Sequence, residues 1–254
     1  MKKALVGALV VVALASGWQS DAASMVIDDL YYGGSDWGSP KGIVAEKDVN
    51  GTDAKYDVSG MDVDISSGSI SVNIYSSFFD NIGSDPGSNT PGAYLGDFFI
   101  STDDWSPFGS ASSFYDTDVA ANGEDWEYVL VFDVHDGTST SGDLNLYAVD
   151  DSKITNSGPG VTQSYRLDQE VLYNGSGQTS LATGAWSISS GKDFLTLTIN
   201  NVLDLSIDDF AMRWTMTCAN DIIEGGSPVP EPATILLFGA GLAGLAGTGL
   251  RRKK

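Results

Sequence analysis

Met61-Asp62-Val63-Asp64-Ile65-Ser66-Ser67-Gly68-Ser69-Ile70-Ser71-Val72-Asn73-Ile74 is the stretch that decides the fold. Successive strand residues point to opposite faces, so the period of two puts Met61, Val63 and Ile65 on one face and the acids between them on the other. Ser66-Ser67-Gly68-Ser69 reads as a four-residue turn, and Ile70, Val72 and Ile74 alternate back, which predicts an antiparallel hairpin.

The pattern recurs along the body. Tyr94 to Ser101 reads as a strand, as does Glu127 to Val134, whose Tyr128-Val129-Leu130-Val131-Phe132 is apolar on both faces and belongs in a sheet centre. Leu144, Leu146 and Ala148 alternate next. A late hairpin pairs Trp186 and Ile188 with Leu195, Leu197 and Ile199 across Ser189-Ser190-Gly191-Lys192, and a final strand carries Phe210, Met212, Trp214 and Met216 on one face. No amphipathic helix appears. About ten short strands with Gly, Ser, Asn and Asp turns predict an all-β antiparallel β-sandwich, two sheets face to face, of jelly-roll or lectin-like kind. Segments 82 to 93 and 152 to 163 read as long loops, and Gly225-Gly226-Ser227-Pro228 as a linker.

Two terminal segments lie outside this pattern. Lys2-Lys3 and the apolar run Ala4 to Ala15 form a charged n-region and an h-region too short for a permanent span, so residues 1–24 read as a secretory signal peptide that engages the Sec translocon and signal peptidase. Small residues allow cleavage after Ala15 or after Ser24. Residues 25–226 form the body and 227–254 a second signal. There, Val229-Pro230-Glu231-Pro232 is followed by 18 uncharged residues, Ala233 to Leu250, and then Arg251-Arg252-Lys253-Lys254. As a helix the uncharged run rises roughly 27 Å, marginally enough for a single transmembrane helix. The prolines keep the flanking collar extended and accessible, and the four cations act as a membrane stop that stays cytoplasmic, leaving Pro-Glu-Pro outside.

This tripartite order resembles the PEP-CTERM sorting signal of Gram-negative bacteria, made of a Pro-Glu-Pro motif, one apolar helix and a basic tail. The resemblance covers about a tenth of the chain. It implies recognition by an exosortase, cleavage near Pro230-Glu231-Pro232, a transient stay in the inner membrane, and release or attachment of the body outside. Two body segments, Gly96-Asp97-Phe98-Phe99-Ile100-Ser101-Thr102-Asp103-Asp104-Trp105 and Trp214-Thr215-Met216-Thr217-Cys218-Ala219-Asn220-Asp221-Ile222-Ile223-Glu224-Gly225, also resemble text that recurs in secreted PEP-CTERM proteins. The family supplies no catalytic residue to carry over.

Charge narrows the partners. Residues 24 to 229 hold seven Lys and Arg against 32 Asp and Glu, a formal charge of −25, in a chain of net charge −21. Nucleic acid and anionic headgroups need Lys and Arg to displace counterions, so they are excluded as partners, and polyanionic glycans are repelled unless divalent cations bridge them. The single cysteine, Cys218, permits no intrachain disulfide and reads as a buried free thiol.

Chemistry has few carriers. His135 is the only histidine, between Asp133 and Asp136 territory after a buried strand, and reads as a solvated loop residue. No nucleophile elbow, zinc motif or phosphate loop occurs, so the chain reads as no enzyme. Paired carboxylates leave a glycan hydrolase or lyase as one alternative, with no pair singled out by spacing. For a metal, Asp116, Asp118, Asn122 and Glu124 are the candidate calcium ligands, although their spacing is not that of an EF-hand and a solvated acidic loop explains them as well. Trp37, Trp105 and Trp126 sit in turn-rich text and offer flat rings for glycan, against the ordinary reading of tryptophan as core. The expectation is an exported structural or adhesive protein of the cell surface or extracellular matrix, associated with exopolysaccharide or biofilm. No cofactor is required; the other alternative is a calcium-dependent carbohydrate-binding module.

Overall fold

The computed structural model describes residues 23–33, 49, 53–66, 68–84, 92–103, 105–113, 115–157, 166–200, 202 and 210–226. Its strands are β1 (Ala23–Asp28), β2 (Val58–Ser66), β3 (Ser69–Ser76), β4 (Phe98–Ser101), β5 (Tyr128–Phe132), β6 (Ser141–Ala148), β7 (Ile154–Asn156), β8 (Glu170–Tyr173), β9 (Ala182–Ile188), β10 (Phe194–Asn200), β11 (Ala211–Thr215) and β12 (Ile222–Gly226). The helical content described is one turn, Asp53–Tyr56, and three short 3-10 pieces. Residues 1–22 and 227–254 fall outside these residues, whereas Ala23 and Ser24, the last two residues expected in the N-terminal signal, open β1. No described helix is long and apolar enough to cross a membrane.

The opening hairpin forms with the expected faces. Met61 pairs with Ile74, Val63 with Val72 and Ile65 with Ile70, and all six are buried. The turn is tighter than the sequence suggested. Ser66 pairs with Ser69, and Gly68 takes the positive φ (79°) that so tight a turn demands. The late hairpin sets Leu195 opposite Ile188 and Leu197 opposite Trp186.

Ten strands join in one antiparallel sheet of order β1-β2-β3-β10-β9-β6-β5-β4-β11-β12. The all-β antiparallel expectation holds; the two separate sheets of a sandwich are replaced by one ladder that curls until it is nearly barrel-shaped. Its inner face is a single core, in which Met61, Val72, Leu197, Trp186, Leu130, Met212 and Trp214 come from strands all round the ring. The end strands return to one another at a seam: a Cβ on Gly225 of β12 would lie 2.7 Å from Ile27 Cγ2 of β1. Below the seam, the Val58 amide donates to Asp221 Oδ2 at 2.6 Å. No hydrogen-bonded ladder between β1 and β12 is present among the described residues. Closure of this kind shields edges that would otherwise template further strands.

Strand β12 itself corrects the sequence reading. Gly225 and Gly226, expected in a linker, are its last two residues, opposite Met212 and Ala211. Their lack of side chains made them look like linker text, yet Gly225 is needed for the approach to Ile27, and a Cβ on Gly226 would fall 2.4 Å from Trp105 Cβ. Likewise the expected loop at 152–163 contains β7, which pairs with β8.

That β7–β8 ribbon covers the outer face of β5, β4 and β11, which explains why β5 is apolar on both sides. Phe99, Trp126, Val129, Tyr173 and Ala211 form a second buried cluster there. Asp97 fastens the ribbon to the sheet. Its Oδ2 accepts from the Tyr173 amide at 2.7 Å and its Oδ1 from the Phe132 amide at 3.1 Å. His135 Nε2 lies 3.0 Å from the same Oδ1, so the loop histidine is partly buried against this acid rather than freely solvated. Asp97→Ala orphans two buried amides, each costing roughly 1–3 kcal/mol. We predict a loss of about 3 kcal/mol or more in denaturant unfolding, whereas His135→Ala costs about 1 kcal/mol or less.

Candidate functional site

Strand β11 presents Met212 and Trp214 to the inner core, which places Arg213 on the outer side, beneath the second layer and 2 % exposed. A buried guanidinium requires compensating charge. Arg213 Nη1 donates to Glu224 Oε2 at 2.6 Å, its Nε lies 3.5 Å from Glu170 Oε2, and Nη2 donates to Gln169 Oε1. Its guanidinium carbon also stands 5.9 Å from the centroid of Tyr31. Register supplies the nearer of the two acids: Glu224 is directly opposite Arg213 in the β11–β12 pair. Glu170 and Gln169 arrive on the ribbon.

Tyr31 extends the network by donating to Asp118 Oδ2 at 2.8 Å, while the Asp118 carbonyl accepts from Gln169 Nε2. Burial dominates the titration of these groups. It pushes Glu224 up to about 7 against the pull of Arg213, raises Glu170 and Asp118, and holds Tyr31 well above its ordinary value. Burial also presses Arg213 to lose its charge, but Glu170 and Glu224 more than reverse this and keep it cationic.

Above Glu224 the seam opens into a cleft of about 290 Å³. Val26, Leu30, Trp105, Tyr115, Gly225 and Gly226 are among the residues that line it. Trp105 donates its indole N–H to Glu224 Oε1 at 3.0 Å, and its ring meets Tyr115 edge-on, centroids 5.3 Å apart at 65°. Tyr115 in turn stacks on Tyr31 at 6.1 Å. A column therefore runs from the buried Arg213 through two tyrosines to a half-buried tryptophan.

The sequence candidates separate. Trp105 is in the cleft, whereas Trp126 is 7 % exposed and packs on Phe99, a core residue. Trp37 lies outside the described residues. Asp116, Asp118, Asn122 and Glu124 have no common focus. Asp118 serves Tyr31, Asn122 Oδ1 accepts from the Val119 amide, Glu124 accepts from the Ser106 amide, and Asp116 is half-exposed. Among the described residues no group of three or more His, Cys, Asp or Glu is placed to hold a metal ion. Val229, Pro230, Glu231, Pro232 and Arg251, Arg252, Lys253, Lys254 lie outside the described residues. Cys218 is buried and free, its thiol pushed up to about 12 by burial.

Sequence reasoning missed Arg213, Glu170, Gln169 and Tyr31. No residue type announces its own burial, and Arg213 alternates with apolar neighbours as any exposed arginine would. One signal did exist: the two body segments quoted together above meet here. Trp214 Nε1 donates to the Gly96 carbonyl, β4 pairs with β11, and Trp105 reaches Glu224.

Two outcomes follow. Arg213→Met leaves Glu224 and Glu170 without their cation and costs about 3–5 kcal/mol at neutral pH, a loss that shrinks as pH falls because burial favours the protonated form of both acids. Glu124, raised to about 7 by burial, binds its proton more tightly folded than unfolded, where 4.5 applies. Its contribution is full below 4.5 and is lost as pH rises through 7. The melting temperature therefore falls between pH 5 and pH 8, and Glu124→Gln flattens that fall.

Residues 228–253 match the family model for the PEP-CTERM protein-sorting motif. No curated protein and no solved structure matches the chain. The match coincides with the proline collar, the apolar run and all but the last of the terminal cations, and on it the chain is a bearer of the PEP-CTERM sorting signal: an exported substrate of an exosortase.

Proposed function

We propose that the protein is a non-catalytic structural or adhesive component of the cell surface or extracellular matrix, associated with exopolysaccharide or biofilm. The observation that carries the reading is the sorting motif at residues 228–253. After Sec export and removal of the signal peptide, the apolar run would hold the chain in the inner membrane until exosortase cuts near Pro230-Glu231-Pro232. Cleavage after Ala15 leaves β1 whole, whereas cleavage after Ser24 would remove its first two residues, which pair with Ile65 and Asp64.

The body suits this role in two respects. A formal charge of −25 keeps it hydrated and apart from other polyanions. Its stability comes from a nearly closed sheet with two buried clusters, without any disulfide.

Cell fractionation of the producing strain tests this. The body is expected outside the inner membrane, in the surface or matrix fraction. A variant with Pro230, Glu231 and Pro232 all changed to alanine is expected to accumulate in the inner membrane with its tail attached. Unprocessed native protein in the cytosol, or a triple variant that reaches the matrix as the native chain does, would contradict the reading.

A further inference from the structure

We infer that the seam cleft is a binding subsite for one uncharged pyranose ring of a polysaccharide, an inference that rests on the extracellular reading above. A pyranose has an apolar C–H face and a rim of hydroxyls. It is held by a flat ring positioned beforehand, with acceptors at the ring's edge and apolar surface around it. Each of these is present at the seam.

Trp105 is the platform. A half-buried tryptophan at a surface normally swings between rotamers, and binding then costs the entropy of fixing it. Here three constraints already fix it. The indole N–H is tied to Glu224 Oε1, Tyr115 abuts the ring at 65°, and the backbone of Gly226 lies where any side chain would strike Trp105 Cβ. Glu224 is itself held by Arg213, so the platform is anchored to the buried ion cluster. Tyr115 stands at φ +58°, a conformation that side-chain-bearing residues rarely adopt; such outliers gather at ligand sites.

Polar groups remain for the ligand. Neither the Asp28 carboxylate nor the Tyr115 hydroxyl has a hydrogen-bond partner among the described residues, and both line the cleft. A carboxylate accepts from two neighbouring hydroxyls at once, an arrangement suited to sugar recognition. Val26 and Leu30, 66 % and 59 % exposed, are two of the most exposed large apolar side chains described, and both are at this cleft.

Size and charge define the ligand. At about 290 Å³ the cleft is at the lower end of small-molecule sites, room for one ring with its substituents while the polymer continues over the rim. Among the described residues no lysine or arginine lines it, and Asp28 and Glu224 do, so a uronate, sulfate or phosphate would meet like charge there. An uncharged sugar remains. Nothing in the arrangement calls for calcium.

The test is calorimetric titration of the exported, processed protein with four neutral tetrasaccharides: β-1,4-glucan, β-1,3-glucan, α-1,4-glucan and β-1,4-N-acetylglucosamine. We expect saturable binding to at least one, unchanged by chelator and by molar salt. Trp105→Ala and Asp28→Ala should each weaken it tenfold or more, and Trp126→Phe, in the core, should leave it within twofold. If Trp105→Ala fails to fold, the exposed Asp28→Ala variant decides alone. Absence of binding to all four, or binding indifferent to Asp28→Ala, overturns the subsite. Fractionation is a separate readout, so a correctly exported protein that binds no sugar would refute the site and leave the matrix assignment standing.

Discussion

The buried guanidinium of Arg213 holds the outer half of this protein together. Arg213 is enclosed by groups from three parts of the chain: Glu224 on the neighbouring strand, Glu170 and Gln169 on the covering ribbon, and Tyr31 beyond the end of β1. A hydrophobic residue at that place would pack without direction. The guanidinium, by contrast, is satisfied only when all three parts arrive in one arrangement, and the cost of leaving it unpaired enforces that arrangement. The network thus sets where the ribbon sits, where Tyr31 stacks and, through Glu224, how Trp105 stands at the seam.

The seam follows from sheet geometry. Strand twist rolls a ten-stranded ladder toward closure, and a roll that stops short leaves two edges face to face. Among the described residues the last step is made by glycine contact and side-chain packing instead of a ladder. Gly225 admits Ile27, and Asp221 reaches across to the Val58 amide. A gap closed by small residues and apolar side chains leaves room for a cleft, and the fixed aromatic wall beside it keeps that cleft open.

Strand identity and facing were legible wherever apolar residues alternate, because a period of two follows from backbone geometry alone. The 61–74 hairpin and the 186–199 hairpin are of this kind. The single curled sheet was not legible: which edge meets which depends on contacts between β1 and β12, almost two hundred residues apart, and two facing sheets give the same local pattern. Gly225 and Gly226 misled for a physical reason, since linkers and tight seams both select glycine. Of the candidate site, Trp105 was picked for its turn-rich setting, while Arg213 and Glu170 carry no local mark distinguishing a buried charge from a solvated one. The sorting signal was fully legible because its parts act in linear order and need no tertiary contact.

The sorting motif marks this acidic β body for export by way of an exosortase. The most direct measurement is the mass of the C-terminal peptide from the exported protein. The account predicts a chain that ends near Pro230-Glu231-Pro232 without residues 233–254, with any attached group visible as added mass on that peptide. An exported chain that still ends in Arg251-Arg252-Lys253-Lys254 would contradict it.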